Sequence, residues 1–262
     1  MVGLIGLDDL AAHYGTAAML GAVAGMAAGG FAKGVVGFAL PLIGLSVAGS
    51  FVPYDVAVAL LIVPMLVSNL VQALRNGLPA ALATLRRFWL MNLVLVVMIA
   101  LSAQLVLALP DRALFAILGA TVSAFALSQL AGWRPRFPTR HRARVEVGVA
   151  LLGGFFGGLS GIWGPPIVMY LVACDLPKAE SVRAQSLSFL LGSLVLFLAH
   201  LRTGVLNAET LPASAWMTVP TMAAMFLGYR VHDRLDQDRF RRVTLAVLVL
   251  TGLNLLRRAA MI

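Results

Sequence analysis

The chain has 262 residues, 60% of them hydrophobic and only 12% charged, whereas a soluble domain carries about 25% charged residues. Its formal net charge of +9 invites a nucleic-acid partner, but the arginines gather in short segments between apolar runs, as in WRPRFPTRHRAR at Trp133 to Arg144. That is the positive-inside pattern of a membrane protein and argues against nucleic acid. The single cysteine, Cys174, rules out an internal disulfide and a multi-cysteine metal site, and reads as a small packing residue.

The opening stretch MVGLIGLDDLAAHYGT has acidic residues but no Lys or Arg, so it lacks the basic segment of a cleavable signal peptide. Apolar runs of about 18 residues or more then recur along the whole chain and predict membrane-spanning helices. The alternation expected of a membrane barrel is missing. A Gly-rich pair of shorter segments comes first, 15–32 with 35–50, followed by spans at 55–74, 88–109 and 112–132. After a basic linker at 133–146 the order recurs: a pair at 147–160 and 165–176, then spans at 182–200, 212–229 and 242–257.

The recurrence is visible residue by residue. Gly29-Gly30-Phe31 matches Gly153-Gly154-Phe155, and the register holds through Gly34 with Gly158, Gly37 with Gly161 and Pro41 with Pro165. ALRNG ending at Gly77 pairs with HLRTG ending at Gly204. The chain thus reads as one repeat over 1–132 and a second over 147–262. Equivalent loops carry opposite basic bias: 75–87 holds Arg75, Arg86 and Arg87, while its counterpart 202–212 holds Arg202 beside Glu209. Loops of opposite bias belong on opposite sides of the membrane, which predicts inverted-topology repeats. The expected fold is an all-α polytopic membrane protein, each repeat a Gly/Pro-broken, re-entrant helical hairpin followed by three transmembrane helices. Two short, tilted full crossings in place of each hairpin preserve the same parity.

The hairpins carry the chemistry. GGFFGGLSGIWGPP, Gly153 to Pro166, holds six glycines and two prolines, residues that cost a helix about 1 and 3 kcal/mol each. Irregular backbone at membrane depth survives only where it is buried in protein or lines a cavity. Two such breaks in corresponding positions point to a binding site between them near the midplane. Helix N-termini starting there offer N–H groups to an anion. Small residues that let helices pack closely are the competing explanation for the glycines. Lys33 stands in the first hairpin, and the nearest acidic residue in sequence is Asp55; an anionic substrate is its expected partner if the break lies at mid-depth, whereas two full crossings would make it a snorkelling or loop lysine. Candidate substrate contacts are Lys33, Gly34 and Gly37 in the first break, and Gly158, Ser160, Gly161 and Trp163 in the second, with Trp163 equally readable as an interfacial anchor. Asn69, Gln72 and Arg75 on one side of a span, and Gln185 and Ser188 on another, complete the set; for Asn69, Gln72 and Gln185 interhelical glue accounts for the pattern equally well. Ser186 and Ser193 read better as interhelical glue, and His200 as a surface residue near a span end. No H-E-x-x-H, Walker A or nucleophile-elbow motif is present, so neither an enzyme nor a resident cofactor is expected.

At these breaks the sequence resembles the TauE/SafE family of sulfite and organosulfonate exporters. The resemblance rests on GGFAKGVVGFALPLI, on GGFFGGLSGIWGPPIVMYLV, and on the ALRNG and HLRTG ends, and it covers roughly residues 15–256. It implies secondary transport, as export, of small sulfur-containing anions across a bacterial inner membrane. Substrate and lipid would be the partners, and a coupling proton or ion and the oligomeric state are left open. One departure is the pair Pro165-Pro166, where the family often has a single proline, as at Pro41. A passive anion channel is the alternative within the same architecture; a membrane-embedded enzyme or a scaffold subunit stands further off.

Overall fold

The computed structural model describes residues 12–108, 142–160, 163–174 and 176–236 continuously, and scattered residues within 110–131 and 239–261. Among the described residues the chain is helical throughout, without a strand. Three helices are long and apolar enough to cross a membrane, and a bent helix pair is a fourth candidate. The protein is therefore a multi-pass helical membrane protein.

Helix α1 (Thr16–Val36) and α2 (Leu40–Ala48) form the first hairpin. The expected break after residue 32 is not there. Gly25, Gly29, Gly30 and Gly34 stay helical because each is pressed against a neighbour. A Cβ on Gly25 would lie 2.9 Å from Val47, and one on Gly29 would lie 2.8 Å from the Leu40 carbonyl oxygen. On Gly30 and Gly34 it would strike the carbonyl oxygens of Thr221 and Met225. Packing thus explains these four glycines. The break falls at Gly37, whose φ of 95° caps α1 in the left-handed region that favours glycine. Its N–H donates to the Lys33 carbonyl at 2.7 Å. Pro41 opens α2 as an N-terminal proline should. At 21 residues α1 is about 31 Å long and reaches across a bilayer, contrary to the expected short segment; nine-residue α2, about 14 Å, does not.

Helix α3 (Tyr54–Leu74) contains Pro64. A proline has no N–H to give and loosens the turn before it; there the Val63 N–H donates to Ser214 Oγ of α9 at 3.1 Å. The expected loop 75–87 is largely a helix, α4 (Leu78–Arg87), bent by 81° from α5 (Trp89–Ser102). A 3-10 segment, Ala103–Ala108, continues α5. In the spans expected at 112–132 and 242–257, the described residues of 112–128 and 242–257 are helical and residue 131 is a turn; the others lie outside the described residues.

The second hairpin pairs α6 (Arg142–Ser160) with α7 (Gly164–Ala173). Helix α6 takes in the last residues of the expected linker, whose residues 133–141 lie outside those described. Helix α8 (Lys178–Thr203) and α9 (Thr210–Arg234) follow. Helices α3 and α8 run antiparallel: Ala73 clusters with Leu187, and Asn69 reaches Ser193. The hairpins pack crosswise, α1 on α9 and α6 on α5. Thr221, Met225 and Gly228 face Gly30 and Gly34 of α1 as Leu95, Ile99 and Ser102 face Gly154 and Gly158 of α6.

Candidate functional site

The tips of the two hairpins touch. A Cβ on Gly164, at the start of α7, would lie 3.2 Å from the ring of Phe38, in the turn between α1 and α2. The same position is 3.8 Å from Phe189 of α8. Trp163, buried, packs its ring on Phe189 with centroids 5.9 Å apart, and Gly192 leaves the room for it. These aromatic side chains wall off one side of the junction from lipid and water.

Against that wall stands a charge. Lys33, in the last turn of α1, is 1% exposed. Its ammonium lies 5.9 Å from the Phe189 ring centroid, within cation–π reach. Its Nζ donates to Asn69 Oδ1 of α3 at 2.5 Å. The Asn69 amide nitrogen in turn reaches Ser193 Oγ at 3.5 Å, and that hydroxyl donates to the Leu190 carbonyl at 3.0 Å. Among the described residues Lys33 has no ion-pair partner. The α1 C-terminus supplies partial negative charge, which favours a cation there. It does not replace a counter-ion, and a buried ammonium held by one amide oxygen keeps most of its charge uncompensated.

Two further amides flank this pair. Gln72, one turn beyond Asn69, is buried, and neither Nε2 nor Oε1 has a hydrogen-bond partner among the described residues. Gln185 of α8 donates to Ser181 Oγ through Nε2 at 3.3 Å, while its Oε1 has no partner among the described residues and lies beside Gly37. An unpartnered buried amide group costs about 1–3 kcal/mol. Native interiors seldom keep such groups unless they serve a purpose.

The remaining sequence candidates separate. Arg75 lies outside the junction: it is partly exposed, stacks 4.3 Å over Tyr229 and holds both oxygens of Asp233 at 3.0 Å. Its spacing from Asn69 and Gln72 suggested a shared face; Arg75 caps α3 with helical backbone, but its long side chain is taken up by Asp233 and Tyr229 of α9. Gly34 packs against α9, and Gly158 against Ser102 and Ile99 of α5. Ser188 is buried and donates to the Ala184 carbonyl of its own helix at 3.1 Å. Ser160 ends α6, and Gly161 lies outside the described residues. The helix N-termini offer less than expected, since Pro41 in α2 and Pro165 and Pro166 in α7 have no N–H to give.

Two participants were missed. Phe189 follows Gln185 by four residues along α8, so helical periodicity could have found it; Ser193, one turn further, joins α3 to α8 through Asn69 in keeping with its reading as interhelical glue. Phe38 had no such signal, because only the fold brings it to Gly164. His200, expected at the surface, is buried with Nδ1 3.4 Å from Thr203 Oγ1.

No curated protein and no solved structure matches the chain. A family profile described as sulfite exporter TauE/SafE matches residues 21–255, a stretch that takes in both hairpins and both antiparallel helices. Members of that family are membrane transporters rather than enzymes. With that match over nearly its whole length, the chain belongs to the sulfite exporter TauE/SafE family.

Proposed function

We propose that the protein is a secondary transporter exporting sulfite or an organosulfonate across a bacterial inner membrane, with the anion bound where the two hairpin tips meet. The observation that carries this reading is the buried Lys33 ammonium without a carboxylate partner among the described residues, set beside unpartnered amides. An anion entering there would find a cation, the Gln72 Nε2 donor and the Asn69 amide, with Phe38, Trp163 and Phe189 excluding water. The two-repeat reading, 1–132 and 147–262 about a linker, is supported by the matched packing of Gly30 and Gly34 on α9 and of Gly154 and Gly158 on α5. The antiparallel α3 and α8 fit an axis in the membrane plane. Under this reading each hairpin is re-entrant, entering from its own side and ending where the other tip begins. The shortness of α2 and α7 supports that view, whereas α1 and α6, at 21 and 19 residues, are long enough to span and favour full crossings for the first arm of each hairpin.

The test is efflux of labelled sulfite and methanesulfonate from proteoliposomes. Lys33→Met should abolish saturable flux, and Lys33→Arg, which keeps the charge, should retain part of it. Loss of counterflow in the parent protein would favour a channel instead. Undiminished transport by well-folded Lys33→Met would remove Lys33, and with it this site, from the mechanism.

A further inference from the structure

Resting on the anion-site reading above, we infer that the site selects by charge number: it takes singly charged oxyanions and discriminates against dianions and zwitterions. Among the described residues, the junction of the hairpin tips contains one ammonium and otherwise only neutral groups, namely the amides of Asn69, Gln72 and Gln185 and the hydroxyl of Ser193. Among the described residues Lys33 is the one buried Lys or Arg, and Glu146 the one buried Asp or Glu. Glu146 is elsewhere: it accepts from the Tyr170 hydroxyl at 2.7 Å, about 10 Å along α6 from Gly153, which packs on Trp163.

Other titratable groups on the packed helices are distant or committed. Asp55 is at the far end of α3 and His200 at the far end of α8. Glu180 pairs with Arg87, and Arg183 donates to Thr84 Oγ1. At the end of α9, Asp233 pairs with Arg75, and His232 Nδ1 lies 2.7 Å from the Val35 carbonyl oxygen. A monoanion therefore brings the site to neutrality. A dianion leaves a net negative charge away from water, and a zwitterion leaves the lysine uncompensated. Either excess is heavily penalised in a dry site, by roughly tenfold or more in affinity.

Sulfite makes this measurable, because it passes from monoanion to dianion near neutral pH, whereas methanesulfonate stays a monoanion. The full-length protein in proteoliposomes is assayed with both anions across that range, with sulfate and taurine as dianionic and zwitterionic competitors. Apparent affinity for total sulfite should fall about tenfold per pH unit once the dianion dominates. Methanesulfonate affinity should stay level, and sulfate and taurine should compete at least roughly tenfold more weakly. A parallel decline for methanesulfonate would place the titration in the protein and overturn the inference. Equal competition by sulfate, abolished by Lys33→Met, would overturn charge selection and leave the transport reading standing. Failure of every anion to bind would overturn both.

Discussion

Gly34→Ala tests the close backbone contact of α1 on α9. The new Cβ would strike the Met225 carbonyl oxygen and lie 2.9 Å from Gly228 Cα and 3.1 Å from its carbonyl carbon. All three obstacles are backbone, so no side chain can rotate away; α1 and α9 must separate. Separation also pulls His232 from the Val35 carbonyl. That places the cost in the upper part of the usual overpacking range, about 2–3 kcal/mol. The intrinsic preference for alanine over glycine in a helix offsets about 1 kcal/mol, leaving a net loss of about 1–2 kcal/mol. Gly148→Ala is the control: it is also mid-helix, with nothing within 4 Å of the added carbon, so it should be neutral or stabilising. Unfolding in mixed micelles, followed by tryptophan fluorescence, reads both. A Gly34→Ala protein as stable as the parent would refute the close packing of α1 on α9. Gly158→Ala, which meets the Ile99 carbonyl oxygen at 2.6 Å and Ala103 N at 2.7 Å, should lose a similar amount.

Asn69→Asp should place a carboxylate against Lys33 and form an internal ion pair. The variant should fold, yet lose sulfite and methanesulfonate flux, because the ammonium is then neutralised from within; retained flux would contradict the site. Gln72→Leu removes a buried amide without partners and should raise stability by about 1–3 kcal/mol in the same micelle unfolding assay, while weakening anion affinity in competition experiments. Arg75→Ala breaks a partly exposed ion pair with Asp233 and the stacking of the guanidinium over Tyr229. It should cost about 1–2 kcal/mol and leave anion affinity unchanged.

Composition and hydropathy made the helical membrane class legible, and the glycine register made the hairpins legible as a pair. The sequence misled where two causes predict the same residue. A glycine that breaks a helix and one that lets another helix approach look alike in sequence. Gly29 to Gly34 proved to be of the second kind, because their partners on α2 and α9 are supplied by the fold. Arg75 follows Asn69 and Gln72 at helical spacing, yet its side chain is committed to Asp233 and Tyr229 of α9, which only the fold brings near. Lys33, Asn69, Gln72 and Gln185 could be singled out because polar side chains in apolar spans are conspicuous. Phe38 and Phe189 could not, since aromatic residues in such spans are ordinary and only the meeting of the tips sets these two apart.

The crosswise packing of the hairpins also governs the order in which the molecule can be completed. Helix α1 is the first described long helix to leave the ribosome, but the surface that receives Gly30 and Gly34 is α9, whose Thr221 is 187 residues downstream of Gly34. At ordinary translation rates α1 waits about 10–40 s for that surface. During the wait the Gly30–Gly34 face must be sheltered by lipid or by the insertion machinery, whereas Lys33 meets Asn69 of α3 much earlier. A nascent chain arrested before Thr210 should therefore leave α1 within crosslinking reach of lipid or the insertion machinery, and release of the full chain should end that contact.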